Sequence, residues 1–212
     1  MRELNVMTLG TKDRILSNVC NYISNKPEDE QMNLLEVIDY INEHASQIDD
    51  DRPSVYVGTY AKYNDGSLYG MWVNIASFDD YESFTEFCKA IHGDEEDPEL
   101  MYQDYQDFPR CWYCESGLHE NFDKILAFAE IHDMDAAYIY INELGYDDVT
   151  GFKEAYLGEW EDEEAFAWHI YEEFYKHEMS EFADKYFNVK SFARDLFDSE
   201  FYFSDGYVFR RN

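Results

Sequence analysis

Asp and Glu outnumber Lys and Arg by 47 to 16 in this chain, yet 18% of its residues are Phe, Tyr or Trp. Those two facts pull against each other. Acidic chains that stay disordered lack such an apolar payload, because they cannot bury enough surface to offset the entropy of ordering. This chain can build cores, so its acids must decorate a folded body. Self-repulsion of a net charge of −31 opposes compaction, and an elongated arrangement relieves it by separating the charges. The acids are interleaved with large apolar residues, as in Asp79-Asp80-Tyr81-Glu82-Ser83-Phe84. That alternation places carboxylates on outer faces and rings inside.

The charge is unevenly shared. Residues 1–54 hold 11 acids and 5 bases, net −6, whereas residues 55–212 hold 36 and 11, net −25. The length of 212 residues suits one large domain or two to three small ones. The start, Met1-Arg2-Glu3-Leu4-Asn5, lacks the apolar core of a signal peptide, and four cysteines in such a chain point to a reducing cytoplasm. No run approaches the ~20 apolar residues of a membrane span. The negative balance argues against direct binding to nucleic acid or to anionic membranes.

Local patterns predict an α+β fold in segregated pieces. Residues 1–54 read as a helical unit. One helix begins near Thr11 with Ile15, Leu16, Val19 and Ile23 on one side, and a second carries Met32, Leu35, Ile38 and Ile41, its stripe widened by Leu34 and Val37. Asp49-Asp50-Asp51-Arg52-Pro53 reads as a linker. Residues 55–75 read as a β-hairpin turning at Tyr63-Asn64-Asp65-Gly66. A helix from about Asp79 presents Phe84, Phe87 and Ile91, and Leu100 to Phe108 returns as a third strand. Helical stripes follow at Phe122, Ile125, Leu126 and Ala129; at Ala136, Ile139, Tyr140 and Leu144; at Phe166, Ile170, Phe174 and Tyr175; and from Val189 to Phe197. A second hairpin, Phe201 to Phe209, closes the chain around Ser204-Asp205-Gly206.

Chemical motifs are sparse. Asp94-Glu95-Glu96-Asp97-Pro98 lacks the central Gly of a calcium loop and carries Pro instead. Cys111-Trp112-Tyr113-Cys114 has CxxC spacing and, with Cys88 and His92, supplies the residue types of a Cys₃His zinc site. A second CxxC is missing, however, and thiols buried as small hydrophobes are the favoured reading. No βαβ pattern surrounds the CxxC to mark a redox motif. There is no Walker loop, GxSxG or HExxH, and carboxylate pairs drawn from 47 acids carry no information. No enzyme, metal or cofactor is expected.

Several separated segments together resemble the ArdA antirestriction proteins. They are Val55-Tyr56-Val57-Gly58-Thr59-Tyr60 through Asn64-Asp65-Gly66 and Gly70-Met71-Trp72, then Asp94 to Asp107, then Leu144-Gly145-Tyr146 through Gly151-Phe152 and Ala155-Tyr156 to Trp160, and finally Phe192 to Phe197 with Phe203 to Phe209. The resemblance covers about 55–212. It implies elongated, curved homodimers of small domains whose acidic surface imitates bent B-form DNA and occupies the DNA-binding site of Type I restriction–modification enzymes, protecting mobile DNA. It further implies a β-rich domain at 55–112, a helical one at 113–149 and an α+β one at 150–212, with 1–54 as an additional helical extension.

On this reading the partner-facing acids are Asp79, Asp80, Glu82, Glu86, Asp94, Glu95, Glu96, Asp97, Glu99, Asp104, Asp107, Glu159, Glu161, Asp162, Glu163, Glu164, Glu172 and Glu173. Leu144, Gly145, Tyr146, Gly151, Phe152, Ala155 and Tyr156 fall in the segment that resembles the antirestriction motif, close to the dimer contact. B-DNA carries one charge per ~1.7 Å, so 31 net charges match roughly 50 Å of duplex, about 15 base pairs. The alternative is an acidic interaction module for another basic DNA-binding protein.

Overall fold

The computed structural model describes residues 9–46 and 51–211. The segment Met1–Asn5 lies outside them, and so does part of the expected linker at 49–53. Contacts divide the chain into two compact units, residues 1–132 and 133–212. Helices α5 and α6, expected together in a middle domain at 113–149, fall on either side of that division. The fold mixes helices with two three-stranded sheets, one per unit.

In the first unit, α1 (Leu9–Ser24) and α2 (Leu34–His44) precede a sheet of order β2-β1-β3, with β1 Ser54–Thr59, β2 Met71–Asn74 and β3 Leu100–Gln106. Both pairings are antiparallel. The expected antiparallel pair and its turn at Asp65 and Gly66 are present, with Gly66 at φ 77° and its amide donating to the Tyr63 carbonyl. Before the turn, however, Tyr60–Asn64 forms a short helix, α3, capped by the Thr59 side chain, which ends the strand at Thr59. Gly70 then brings the chain alongside β1, where a Cβ would overlap the Val57 backbone carbonyl. α4 (Tyr81–Ala90) starts at Asp80, whose carboxylate accepts from the Ser83 amide, and buries Phe84, Phe87 and Cys88. α5 (Phe122–Ala129) buries Phe122, Ile125 and Phe128.

The extension is part of this core. Ile15, Val19 and Ile23 of α1 are buried, and α1 packs on α2 and α4. In α2 the capping box of Asn33 and Glu36 fixes the start. The expected α2 stripe is only partly right. Val37, Ile41 and His44 form the buried face, at i, i+4 and i+7, while Met32, Leu34 and Leu35 are exposed. His44 takes the interior position because its ring stacks on Phe78 at 4.0 Å and 15°. After α2, Ala45 bridges Val73 and the Ser46 amide donates to the Trp72 carbonyl, so the extension covers the free edge of β2.

The second unit comprises α6 (Met134–Asn142), α7 (Phe152–Ala155), β4 (Tyr156–Glu159), α8 (Glu163–Ile170), α9 (Glu181–Asp184), α10 (Val189–Ser199), β5 (Phe201–Ser204) and β6 (Tyr207–Arg210). Its sheet is β4-β6-β5, all antiparallel. The closing hairpin turns at Asp205 and Gly206, both with positive φ, as an Asp-Gly pair permits. Phe166, Ala167, Ala193, Leu196, Phe197, Phe201 and Val208 form one core between α8, α10 and the hairpin. The expected stripe after Phe166 breaks down: Phe174 and Tyr175 are exposed and Tyr171 is buried instead. A π-helical turn over Tyr171–Tyr175 follows α8, and its extra residue per turn rotates later side chains out of phase.

Candidate functional site

Of the 18 acids expected on the partner-facing surface, 15 are exposed; Glu95, Asp107 and Glu164 are half-buried. Exposure alone does not make a carboxylate available, and the structure sorts all but Asp107, which sits at φ 60° just after β3, into three groups.

Asp94, Glu95 and Glu86 are engaged inside the first unit. Lys62, on α3, is buried with its ammonium 3.2 Å from Asp94 and in a short contact with Glu95. Arg14 of α1 pairs with Asp94 and lies over the Tyr69 ring at 4.3 Å. Asn18 donates to Asp94 at 2.7 Å and to the Ile91 carbonyl at 3.0 Å. Burial would raise the Asp94 carboxyl, but hydrogen bonds from Arg14 and Lys62 outweigh it and hold the group below its ordinary value. Glu95 behaves likewise through Lys62 and Thr59. Glu86 accepts from the Tyr22 hydroxyl at 2.9 Å and pairs with Lys26 at 3.3 Å. These three acids neutralise cations that tie the extension and α3 to the sheet domain.

A second group caps helices or pairs with bases nearby. Asp80 and Asp162 are N-caps of α4 and α8, and hydrogen bonding to Ser83 lowers the Asp80 carboxyl pKa. Glu172 pairs with Lys176, Glu173 with His169, and Glu164 with Lys190. All three pairs are largely solvated, so each contributes little.

The third group projects into solvent and forms no ion pair among the described residues: Asp79, Glu82, Glu96, Asp97, Glu99, Asp104, Glu159, Glu161 and Glu163. Glu159 and Glu161 line an open depression of about 370 Å³ with Trp160, Asp205, Gly206 and Tyr207. Net charge is evenly spread: residues 55–132 hold 16 acids and 4 bases, net −12, and residues 133–212 hold 20 and 7, net −13. Neither half of the region after residue 54 concentrates it.

The segment 144–156 is built from rings and turns. Gly145 has φ 76° beyond the end of α6, and Leu144 is half-buried. Tyr146 stacks on Tyr140 at 4.2 Å and 15°, and Gly151 is the N-cap of α7. Phe152 and Ala155 are buried; Tyr156 stacks on Phe152 at 5.1 Å, and its hydroxyl donates to Asp133. Burial and that bond push the Tyr156 hydroxyl pKa up. Its residues hold α6, α7 and β4 together.

The four residues of the zinc alternative do not converge, and among the described residues no three potential ligands cluster. Cys88 and His92 are buried, but Cys111 and Cys114 are exposed. The expectation of buried thiols thus fails for the CxxC pair, because Trp112 takes the interior position there. Both ring nitrogens of His92 are committed. Nε2 donates to the Val57 carbonyl at 3.3 Å and Nδ1 accepts from Lys62 at 3.1 Å. Burial, then the Lys62 charge, lowers the His92 pKa to about 4. Sequence reading missed this Lys62–His92–Asp94–Glu95 cluster; only the lone Lys among strand formers hinted at it.

Among the described residues no helix is long and apolar enough to cross a membrane. Set against known protein families, residues 55–209 match the family described as Antirestriction protein (ArdA). No curated protein matches the chain.

Proposed function

The chain belongs to the ArdA antirestriction family, and from that premise we propose that it inhibits Type I restriction–modification enzymes by presenting carboxylates where their DNA-binding groove expects phosphates. The observation that carries this reading is the distribution of charge. Nine acids stand in solvent without an ion pair among the described residues, and residues 55–132 and 133–212 carry nearly equal net charge. A groove lined by Lys and Arg responds to density of negative charge along its length, and phosphate contacts dominate DNA affinity in just this way. Inhibition acts by occupancy and involves no covalent step.

The active form is a homodimer, which extends the negative surface to about twice the ~50 Å equivalent of one chain. Residues 55–212 form the mimic, in β-rich, helical and α+β portions, and residues 144–156 lie near the dimer contact. The partner is the methyltransferase core of the restriction enzyme, and the setting is the cytoplasm. Support for the dimer comes from family membership alone.

The reading is tested by cleavage of unmodified DNA by a purified Type I enzyme, with the full-length protein added in increasing amounts. Cleavage is expected to fall to background near stoichiometric inhibitor. Undiminished cleavage by several such enzymes at low salt overturns the proposal. Recovery of a different basic DNA-binding protein, without restriction subunits, supports the acidic-module alternative.

A further inference from the structure

The exposed CxxC segment has no part in the proposed mimicry, and it presents two thiols on an anchored backbone. Cys111 and Cys114 are free and exposed, while the two residues between them are anchored. Trp112 is 2% exposed and packs edge-on against Phe128 at 5.8 Å. Tyr113 donates its hydroxyl proton to the Tyr102 carbonyl in β3 and stacks on Tyr105 at 4.6 Å and 25°. Trp112 closes a 3₁₀ turn, and Tyr113 is extended at φ −83°, ψ 134°. Both thiols therefore flank two anchored residues, at the spacing of a CxxC pair.

The surroundings distinguish the two sulfurs. Ser116 Oγ lies 3.3 Å from Cys114 Sγ, and its hydrogen bonds lower the Cys114 pKa. Arg110 donates to the Tyr113 carbonyl at 3.2 Å and lies over the Tyr113 ring at 4.9 Å, placing a cation beside a turn on an otherwise negative molecule. Cys88, by contrast, is fully buried, which pushes its thiol pKa up and keeps it inert.

We propose that Cys111 and Cys114 form a thiol–disulfide exchange site that reacts with low-molecular-weight disulfides, Cys114 attacking and Cys111 resolving. The Cys114 thiolate displaces one thiol from the small disulfide, forming a mixed disulfide. The Cys111 thiolate then attacks Cys114 Sγ and expels the second thiol. Two protein thiols become one disulfide, and one small disulfide becomes two thiols, which take up the two protons released.

The test equilibrates the full-length protein with mixtures of oxidised and reduced glutathione, quenches in acid, alkylates free thiols and reads intact mass and peptide masses. The wild-type protein is expected to gain one internal disulfide joining Cys111 and Cys114, with Cys88 alkylated only after unfolding. Cys111→Ser is expected to trap one glutathione on Cys114. Cys114→Ser is expected to acquire one on Cys111 about tenfold more slowly, the thiolate being the nucleophile. Four free thiols at every ratio, a mixed disulfide that persists in the wild type, or equal rates in the two variants overturns the proposal. DNA cleavage plays no part in these readouts, so the result stands apart from the inhibition assay.

Discussion

His44 shows how one side chain can sit in an aromatic core and still make stability depend on pH. Its ring stacks on Phe78 and meets Tyr40 and Phe87 edge-on. Ser77 spends its hydroxyl proton on the Asn74 carbonyl, so the His44 Nδ1–H donates to Ser77 Oγ at 2.8 Å. Burial lowers the His44 pKa to about 4, from 6.5 in an unfolded chain. The unfolded state therefore binds more protons between those values. Stability is complete above pH 6.5, is lost as pH falls toward 4, and changes little further below it. The loss is about 3 kcal/mol. Urea unfolding of the wild type and His44→Phe at pH 7 and pH 4 checks this. The difference between the two proteins should shift toward the variant by roughly that amount on acidification, with carboxylate titration cancelling in the comparison. A difference that does not change with pH would remove His44 from the account.

At the scale of elements, the extension is structural before it is anything else. Ile15, Val19, Ile23, Val37 and Ile41 are at most 3% exposed, and five such aliphatic side chains represent on the order of 10 kcal/mol of hydrophobic burial, comparable to a domain's whole stability. Removing residues 1–54 also strips the cover from the edge of β2 and takes Arg14 and Asn18 from Asp94. A chain beginning at residue 55 is expected to unfold at a lower midpoint and to bind a hydrophobic dye that full-length protein excludes. An unchanged midpoint would mean that the extension only rests on the surface. Sequence patterns located α1, α4, β3 and the closing hairpin, because caps, periodicity and an Asp-Gly turn are local signals. They misjudged the buried face of α2, where a His outcompeted two Leu through ring stacking, and the stripe through Phe174, where a π-helical turn shifted the phase. β4 and α7 escaped notice because no Asp-Gly turn marks these four-residue elements as one marks β5 and β6, and β4 pairs with a strand about fifty residues away. The exposed CxxC was invisible too, since spacing does not say which residues of a turn face inward.

Across the whole molecule, the acidic surplus was plain in the sequence, but its availability was not. Asp94 and Glu95 look like the densest part of the surface when read along the chain. They are instead held by Lys62 and Arg14, which lie 32 and 80 residues from Asp94, a separation no local pattern encodes. The proposed mimicry rests on scattered carboxylates such as Glu82, Glu96, Asp104, Glu159, Glu161 and Glu163, each contributing no more than a surface charge contact. Inhibition must then behave as a collective electrostatic effect, falling steeply with ionic strength. The most direct measurement is competition between the full-length protein and a DNA duplex for a Type I methyltransferase core, repeated across a salt series. The account predicts mutually exclusive binding and an inhibitor affinity that declines with salt on a slope resembling that of DNA itself. Simultaneous binding of DNA and protein, or an affinity indifferent to salt, would contradict it.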